Sequence, residues 1–250
     1  MRISLELVPR DSEGLKAELQ FIKTEFPAIN TINIPDLTRF ELRSWEASGL
    51  SRSYYRDCIP HIRAMDFDAG EPFSLVEYLD QHQIAEVLIV TGDEPKNGSK
   101  QVYPTTCLDL VAKLKREHPH LKIYSAIDPY RSSIRAEYEY VQRKLDAGVE
   151  GFFTQPFFDL RLMELYSEML SCADIFWGVS PVVSETSKRY WETRNQVVFP
   201  KDFQPTLEWN IEFAKRAMAY TKQTNSSLYF MPIKVDLQAY FNGIFNKVLV

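Results

Sequence analysis

Glu6 is the residue whose type and position most directly suggest chemistry. It lies within the run ISLELVP, in which apolar side chains alternate with it and therefore point to the opposite side of the strand. If the apolar side chains pack against helices, Glu6 faces the other side of the sheet. Burial there would raise its pKa toward the range that a general acid needs near neutral pH. The alternative is a structural ion pair between Glu6 and Arg10 or Arg63.

Three other polar residues lie in apolar runs or directly after them. Asp93 follows the run VLIVTG, where Gly92 would let the backbone approach a ligand closely, although a turn aspartate fits the same pattern. His61, in PHIRAMD, could bind a ligand or be a hydrogen-bonded core or rim residue. Gln155, in GFFTQPFFD, suits recognition of a flat heterocycle, or caps neighbouring backbone groups. Other predicted strands also carry polar residues within them or at their ends, namely Asn33, Asp36, Asp66, Asp128, Ser180, Ser184 and Lys234.

Short runs rich in β-branched and aromatic residues alternate with segments of helical periodicity, which predicts strands that alternate with helices. The predicted strands are RISLELV, NTINI, CIPHIRAMD, AEVLIV, LKIYSAI, EGFFTQ, ADIFWGV and SSLYFM. The predicted helices cover residues 11–25, 72–83, 102–117, 132–147, 159–171, 205–223 and 235–247. Residues 35–57 and 184–203 are predicted as irregular loops. Helix ends are expected at Asp11 or Ser12, at Ser132 and at Gly148.

This order of elements predicts an α/β fold, a single (β/α)8 barrel of the TIM type in which residues 1–250 form one domain. An open, doubly wound sheet is the alternative. In a parallel barrel, ligands bind where the strands end and lead into the following helices. The polar residues described above fall at such places, so we expect several strand ends to build one site.

Composition narrows the classes of function. The 250 residues carry a net charge of -5 and no basic cluster, which argues against nucleic acid as the main partner and favours small molecules. No signal peptide and no apolar stretch of about 18 residues is found, so a cytoplasmic protein without a membrane span is expected. Cys58, Cys107 and Cys172 lack metal or redox spacing and are expected to be reduced thiols. The four histidines form no convincing metal motif, and no GxGxxG, Walker A, HExxH or GxSxG motif occurs.

Five segments together resemble the methylenetetrahydrofolate reductase family over nearly the whole chain. ISLELVPR is similar to the opening strand of that family, PHIRAMD to its third strand and VTGDEPKNG to its Gly-Asp-x-Pro loop. VQRKLDAGVEGFFTQPFFD is the most specific match, because a Lys-x-x-Ala-Gly helix end precedes a strand that ends in Thr-Gln and Phe-Phe-Asp. GVSPVVS resembles the family's seventh-strand loop. The resemblance implies the same barrel that the alternation of elements predicts.

The resemblance also implies an activity, the reduction of 5,10-methylenetetrahydrofolate to 5-methyltetrahydrofolate in one-carbon and methionine metabolism. The reaction would use bound FAD, with NADH or NADPH as reductant. Glu6 would be the general acid that opens the five-membered ring to an iminium, and Asp93 would lie beside flavin and pterin. Gln155 and Ser184 would bind the folate. The residues implied to hold FAD are His61, Asp93, Tyr103, Arg143 and Lys144. For the last two the alternative is that they only interact favourably with the negative end of a helix dipole.

The sequence differs from the family pattern mainly on the flavin side. Thr91 replaces an arginine before the Gly-Asp pair, and Glu137 and Tyr140 stand where Asp and Asn are usual. IDPYRSS replaces a Tyr-Pro-Glu loop, and the second strand ends in NIPD. Two alternatives follow: a flavin-independent folate oxidoreductase with direct hydride transfer from the nicotinamide, and a non-catalytic folate-binding barrel auxiliary to a methyltransferase or demethylation pathway. Association into a homo-oligomer also stays open.

Overall fold

The computed structural model describes residues 1–94, 101–170 and 173–245. Eight parallel strands within these ranges pair in chain order and close on themselves, since the last strand also pairs with the first. The strands are β1 (Ile3–Glu6), β2 (Thr31–Ile34), β3 (Asp57–Arg63), β4 (Glu86–Val90), β5 (Lys122–Ile127), β6 (Gly151–Pro156), β7 (Asp174–Val179) and β8 (Ser227–Phe230). The predicted (β/α)8 barrel is therefore confirmed. That the whole chain forms one domain stays a prediction.

Helices surround the barrel and connect its strands. They are α1 (Ser12–Glu25), α2 (Ser44–Ser51), α3 (Val76–Gln81), α4 (Cys107–Glu117), α5 (Ile134–Asp146), α6 (Leu160–Met169), α7 (Glu185–Arg194), α8 (Leu207–Gln223) and α9 (Leu237–Phe245). Amphipathic periodicity located the longer helices, because a helix that covers a sheet needs one apolar face. In the part of the chain that the structure describes, no helix has the length and apolar character needed to cross a membrane.

Both segments that were predicted as irregular loops, residues 35–57 and 184–203, contain a helix, so that prediction was wrong. In α2 the inward face consists of small residues such as Ser44, Ser48 and Gly49, so hydrophobic periodicity could not reveal it. In α7 the buried face is reduced to Trp191. Both helices are short, and their contacts with the rest of the fold compensate for a weak apolar pattern.

The predicted helix-capping residues are found at the helix ends, except that Ser133 takes the place of Ser132. Asp11 caps α1 by accepting a hydrogen bond from the Gly14 backbone N–H, as expected. Ser133, and not Ser132, caps α5, because the Ser133 hydroxyl accepts from Ala136 N. Gly148 follows α5 with a φ of 107°, a left-handed conformation that favours glycine.

The barrel has an apolar exterior under the helices and a second, aromatic core in its lumen. Along β1, Ile3 and Leu5 pack outward into the helix-covered core, which leaves the lumen to Ser4 and Glu6. The lumen core comprises Ile59, Leu88, Tyr124, Phe153, Phe176, Tyr229 and Met231. The barrel interior is therefore packed below its C-terminal strand ends, as in other closed parallel barrels.

Charged residues at the start of the strands close the opposite end of the barrel. Arg2 makes two hydrogen bonds to the Glu86 carboxylate, at 2.9 and 2.6 Å, and one of 3.2 Å to the Tyr124 hydroxyl. Lys122 pairs with Asp174 at 2.6 Å. Each of these side chains is engaged in an ion pair or a hydrogen bond, so we assign a structural role to this end of the barrel.

Candidate functional site

A cavity of about 840 Å³ opens at the C-terminal ends of β2 to β6. Its wall includes the β2–α2 loop, the end of β3, the β4–α4 loop and the inner face of α5. The volume lies within the range of about 300 to 1,000 Å³ that is usual for small-molecule sites. The residues that line it include His61, Arg63, Asp93, Tyr140, Lys144 and Gln155.

Glu6 lies in the barrel lumen at the end of β1, where it is half-buried, and it does not itself line this cavity. The Tyr229 hydroxyl donates a hydrogen bond to Glu6 Oε2. Burial raises the pKa of Glu6 to about 7, and the hydrogen bond from Tyr229 opposes part of that rise because it favours the ionised form. The contacts of Arg63 are with Asp66 and the Asp93 carbonyl, so an ion pair between Glu6 and Arg63 is not formed. Glu6 thus has the lumen position and the raised pKa that the sequence predicted.

His61 connects the lumen to the cavity wall. It belongs to β3, and its Nε2 lies 2.5 Å from Oδ1 of Asn33, the residue that stands opposite Glu6 in the pairing of β1 with β2. Burial lowers the pKa of His61 to about 3, although the nearby Asp36 carboxylate acts in the other direction. The imidazole is therefore neutral at physiological pH. With Asn33 Oδ1 as acceptor for the Nε2 proton, Nδ1 remains a hydrogen-bond acceptor.

Asp93 stands at the cavity mouth on a turn that Arg63 holds in place. Arg63 Nη2 donates to the Asp93 carbonyl oxygen at 2.5 Å, while the Asp93 side chain is exposed. Gly92 has a φ of 92°, and a Cβ there would lie 2.7 Å from Arg63 Nε. Glycine is therefore required both by its backbone conformation and by the close approach of the arginine. The rest of the VTGDEPKNG motif, residues 95–98, lies outside the described residues.

The α5 wall of the cavity carries a buried amine. Lys144 Nζ donates to the Ala126 carbonyl at 2.5 Å and lies 4.1 Å from the centre of the Tyr140 ring. Burial lowers the pKa of Lys144 to about 8, with the Glu137 carboxylate acting in the opposite direction. Arg143 is exposed, packs on Tyr140 with its guanidinium carbon 5.1 Å from the ring centre, and does not line the cavity.

Of the other predicted site residues, Gln155 lines the cavity, whereas Tyr103 and Ser184 do not. Gln155, near the end of β6, is exposed into the cavity. Tyr103 is half-buried, does not line the cavity, and donates its backbone N–H to the Met65 carbonyl at 2.8 Å. Ser184 lies outside the cavity and caps α7 by accepting from Ser187 N at 3.1 Å. The structure therefore brings His61, Asp93, Lys144 and Gln155 together in one cavity, and in the described part of the chain Glu6 is linked to it only through Asn33, which contacts His61.

Sequence reasoning did not identify Tyr229 or Asn33 as partners of the candidate site residues. Tyr229 alternates with Leu228 and Phe230, which pack outward, so the alternation in SSLYFM is the signal that could have placed its hydroxyl in the lumen. Its contact with Glu6 depends on barrel closure, which brings β8 beside β1. Within the described residues, no group of three or more potential metal-ligating side chains occurs.

The fold and the cavity define a class, a (β/α)8 barrel with a polar ligand cavity at the C-terminal ends of its strands. The family model for methylenetetrahydrofolate reductase matches residues 42–223, and the chain belongs to that family. The matched range contains His61, Asp93, Lys144 and Gln155, whereas Glu6 and Tyr229 lie on strands beyond it.

Two solved structures share the fold. One is an uncharacterized protein from Clostridium thermocellum that binds two copies of 5-methyl-5,6,7,8-tetrahydrofolic acid, with a TM-score of 0.66 and 14% identity over 98% of this chain and 93% of that one. The other is 2,3-dimethylmalate lyase, a member of the PEP mutase/isocitrate lyase superfamily, with a TM-score of 0.58 and 8% identity over 94% of this chain and 75% of that one. At these identities the likeness shows the fold alone.

Proposed function

We propose that the cavity binds a reduced folate and that Glu6 protonates it, in a reduction of 5,10-methylenetetrahydrofolate to 5-methyltetrahydrofolate with NADH or NADPH as reductant. The observation that carries this proposal is the Glu6 carboxyl group, which is half-buried at the end of β1 with a pKa raised to about 7 and stands opposite Asn33, whose side chain contacts the cavity residue His61. A group with such a pKa is substantially protonated at neutral pH and can still release its proton. Membership of the methylenetetrahydrofolate reductase family supports the choice of substrate.

The proposed chemistry begins with proton transfer from Glu6 to N10 of the folate. The bond between the one-carbon unit and N10 breaks, and its electron pair remains on N10 with the new proton. The resulting iminium on N5 accepts a hydride from the nicotinamide and becomes the N5-methyl group, while Glu6 regains a proton from solvent. Gln155 would bind the pterin, because a neutral amide both donates and accepts hydrogen bonds. Asp93, at the cavity mouth, would lie beside the same ring.

The described residues do not fit the FAD site that the resemblance implied. Of the five residues implied to hold FAD, Tyr103 and Arg143 do not line the cavity. The Lys144 amine, which does, already bonds the Ala126 carbonyl and packs on Tyr140. His61 and Asp93 alone would not hold a dinucleotide, so no step of the proposed reaction is assigned to FAD.

A second candidate is a folate-binding barrel without reductase activity that serves a methyl-transfer or demethylation pathway. The Clostridium thermocellum protein, described by its binding of 5-methyltetrahydrofolate, supports this idea.

The visible spectrum of the freshly purified protein, followed by anaerobic turnover, tests both candidates. We expect a colourless protein that oxidises NADH or NADPH when methylenetetrahydrofolate is added. A flavin spectrum that bleaches with NADH and returns with the folate would contradict the conclusion about FAD while supporting reduction. Folate binding without nicotinamide oxidation, with or without added FAD, would favour the second candidate.

A further inference from the structure

Tyr229 is a buried hydroxyl that the proposed reaction does not yet use. It is 3% exposed and belongs to β8, and its hydroxyl donates to Glu6 Oε2 on the neighbouring strand β1. Its ring packs edge-on against Phe153 at 5.1 Å, and Phe153 stacks on Phe176 at 4.1 Å. The direction of the hydroxyl is therefore fixed by the aromatic core of the lumen.

The carboxyl group of Glu6 has few other means of orientation. No cation is paired with it in the described part of the chain, and the electrostatic influences on its pKa are burial and the Tyr229 hydroxyl. Asn33, opposite Glu6 on β2, has its side-chain oxygen beside His61. His61 is neutral, so it places no charge near the carboxyl group.

We infer that Tyr229 is a positioning residue that assigns different roles to the two oxygens of Glu6. Because the phenol donates to Oε2, a neutral Glu6 carries its proton on Oε1, the oxygen left for the folate. When Glu6 is ionised, the same hydrogen bond stabilises the carboxylate more strongly, since bonds to charged groups are the stronger ones. Tyr229 would thus both orient the acid and limit how far burial raises its pKa. The role in folate chemistry rests on the proposed function.

The titration of Glu6 can be followed without folate by infrared spectroscopy of protein carrying ¹³C-labelled glutamate. The Glu6 carboxyl band is assigned by its absence in Glu6→Gln. We expect its midpoint near neutral pH in the unaltered protein and about one pKa unit higher in Tyr229→Phe. Tyr124→Phe is the matched control, because Tyr124 is also a lumen tyrosine but its hydroxyl bonds Glu86 at the other end of the barrel.

A second substitution tests the same bond without removing it. Replacing Tyr229 by 3,5-difluorotyrosine makes the phenol a stronger donor and should move the Glu6 midpoint downward. Equal midpoints in all variants, or an equal rise in Tyr124→Phe, would overturn the role of Tyr229. Since these readings need neither folate nor turnover, failure of the proposed function would appear separately, as absence of folate binding by a protein whose Glu6 titrates as expected.

Discussion

The two ends of the barrel both contain ion pairs, but they differ in whether charged side chains also remain unpaired. At the N-terminal end, Arg2 and Glu86 form a paired, hydrogen-bonded network that joins several strands. At the C-terminal end Arg63 is likewise paired with Asp66, but the half-buried Glu6 and the buried Lys144 lack ion-pair partners of that kind among the described residues, and desolvation shifts the pKa of each toward neutrality. Paired charges hold the fold together, whereas desolvated groups can exchange protons near pH 7. The comparison therefore supports the proposal that proton transfer takes place at the C-terminal end.

Glu6→Gln should have the largest effect on activity. The amide preserves shape and accepts the Tyr229 hydrogen bond, but it cannot donate an acidic proton. We expect folate reduction to fall by about 10²- to 10⁴-fold, the usual contribution of a general acid, while folate binding is retained. Steady-state oxidation of NADH or NADPH with methylenetetrahydrofolate measures the first effect, and calorimetry measures the second.

Glu86→Gln is the matched control at the other end of the barrel. It weakens the pairing with Arg2, so it should lower stability by about 1.5 to 3 kcal/mol and leave the turnover of the folded protein near normal. If Glu86→Gln abolished turnover in folded protein, or if Glu6→Gln kept normal turnover, the division between the two ends would fail.

Glu6→Gln should also change the pH dependence of stability. The pKa of Glu6 rises from 4.5 to about 7 on folding, so its contribution to stability is complete below pH 4.5 and is lost as pH rises through about 7. Glutamine does not suffer this loss. The variant should therefore gain about 2.5 kcal/mol relative to the unaltered protein between pH 5 and pH 8. Urea unfolding of both proteins at pH 5 and at pH 8 measures the change. If the variant and the unaltered protein differ in stability by the same amount at both pH values, the pKa of Glu6 is not raised on folding.

Gln155→Ala should weaken folate binding more moderately. Loss of its hydrogen bonds to the pterin should raise the Kd for 5-methyltetrahydrofolate about tenfold, which corresponds to about 1.4 kcal/mol. Gln204→Ala provides the control, since Gln204 is exposed and does not line the cavity. Equal affinities for both variants would remove Gln155 from the folate site.

Ser184→Ala should have the smallest effect, and on stability rather than binding. Ser184 caps α7, so its loss should cost about 1 kcal/mol in the free energy of unfolding while the Kd for folate stays constant. Thermal unfolding and calorimetry on the same samples separate these effects. A weakened folate affinity with unchanged stability would instead support the role in substrate binding that the resemblance implied.

The sequence predicted the barrel because its strands have regular alternation and its longer helices have one apolar face. It did not predict α2, whose buried face is made of serines and glycine, or α7, whose buried face is a single tryptophan. In such helices the tertiary contacts decide the structure, and these contacts are not visible in local periodicity.

For the candidate site, the predicted strand residues His61 and Gln155 line the cavity, whereas the predicted helix and loop residues are divided between its lining and the outside. A side chain on a strand has two possible directions, and alternation decided the direction of Glu6. Arg143 and Lys144 are adjacent, but successive helical residues point about 100° apart, so one lines the cavity and the other faces solvent. The contact between Tyr229 and Glu6 joins the two ends of the chain, and it required the closed barrel to become apparent.

The most direct test of a reduced-folate site in this cavity is calorimetric titration with 5-methyltetrahydrofolate of the unaltered protein and of Thr91→Trp. Thr91 lines the cavity and is exposed, so an indole there should fill the space, with loss of the contact between the Thr91 hydroxyl and Cys107 Sγ. We predict saturable binding to the unaltered protein and a loss of affinity of at least about tenfold in the variant. No saturable binding to the unaltered protein, or equal binding by a folded Thr91→Trp, would contradict the assignment of this cavity to a folate.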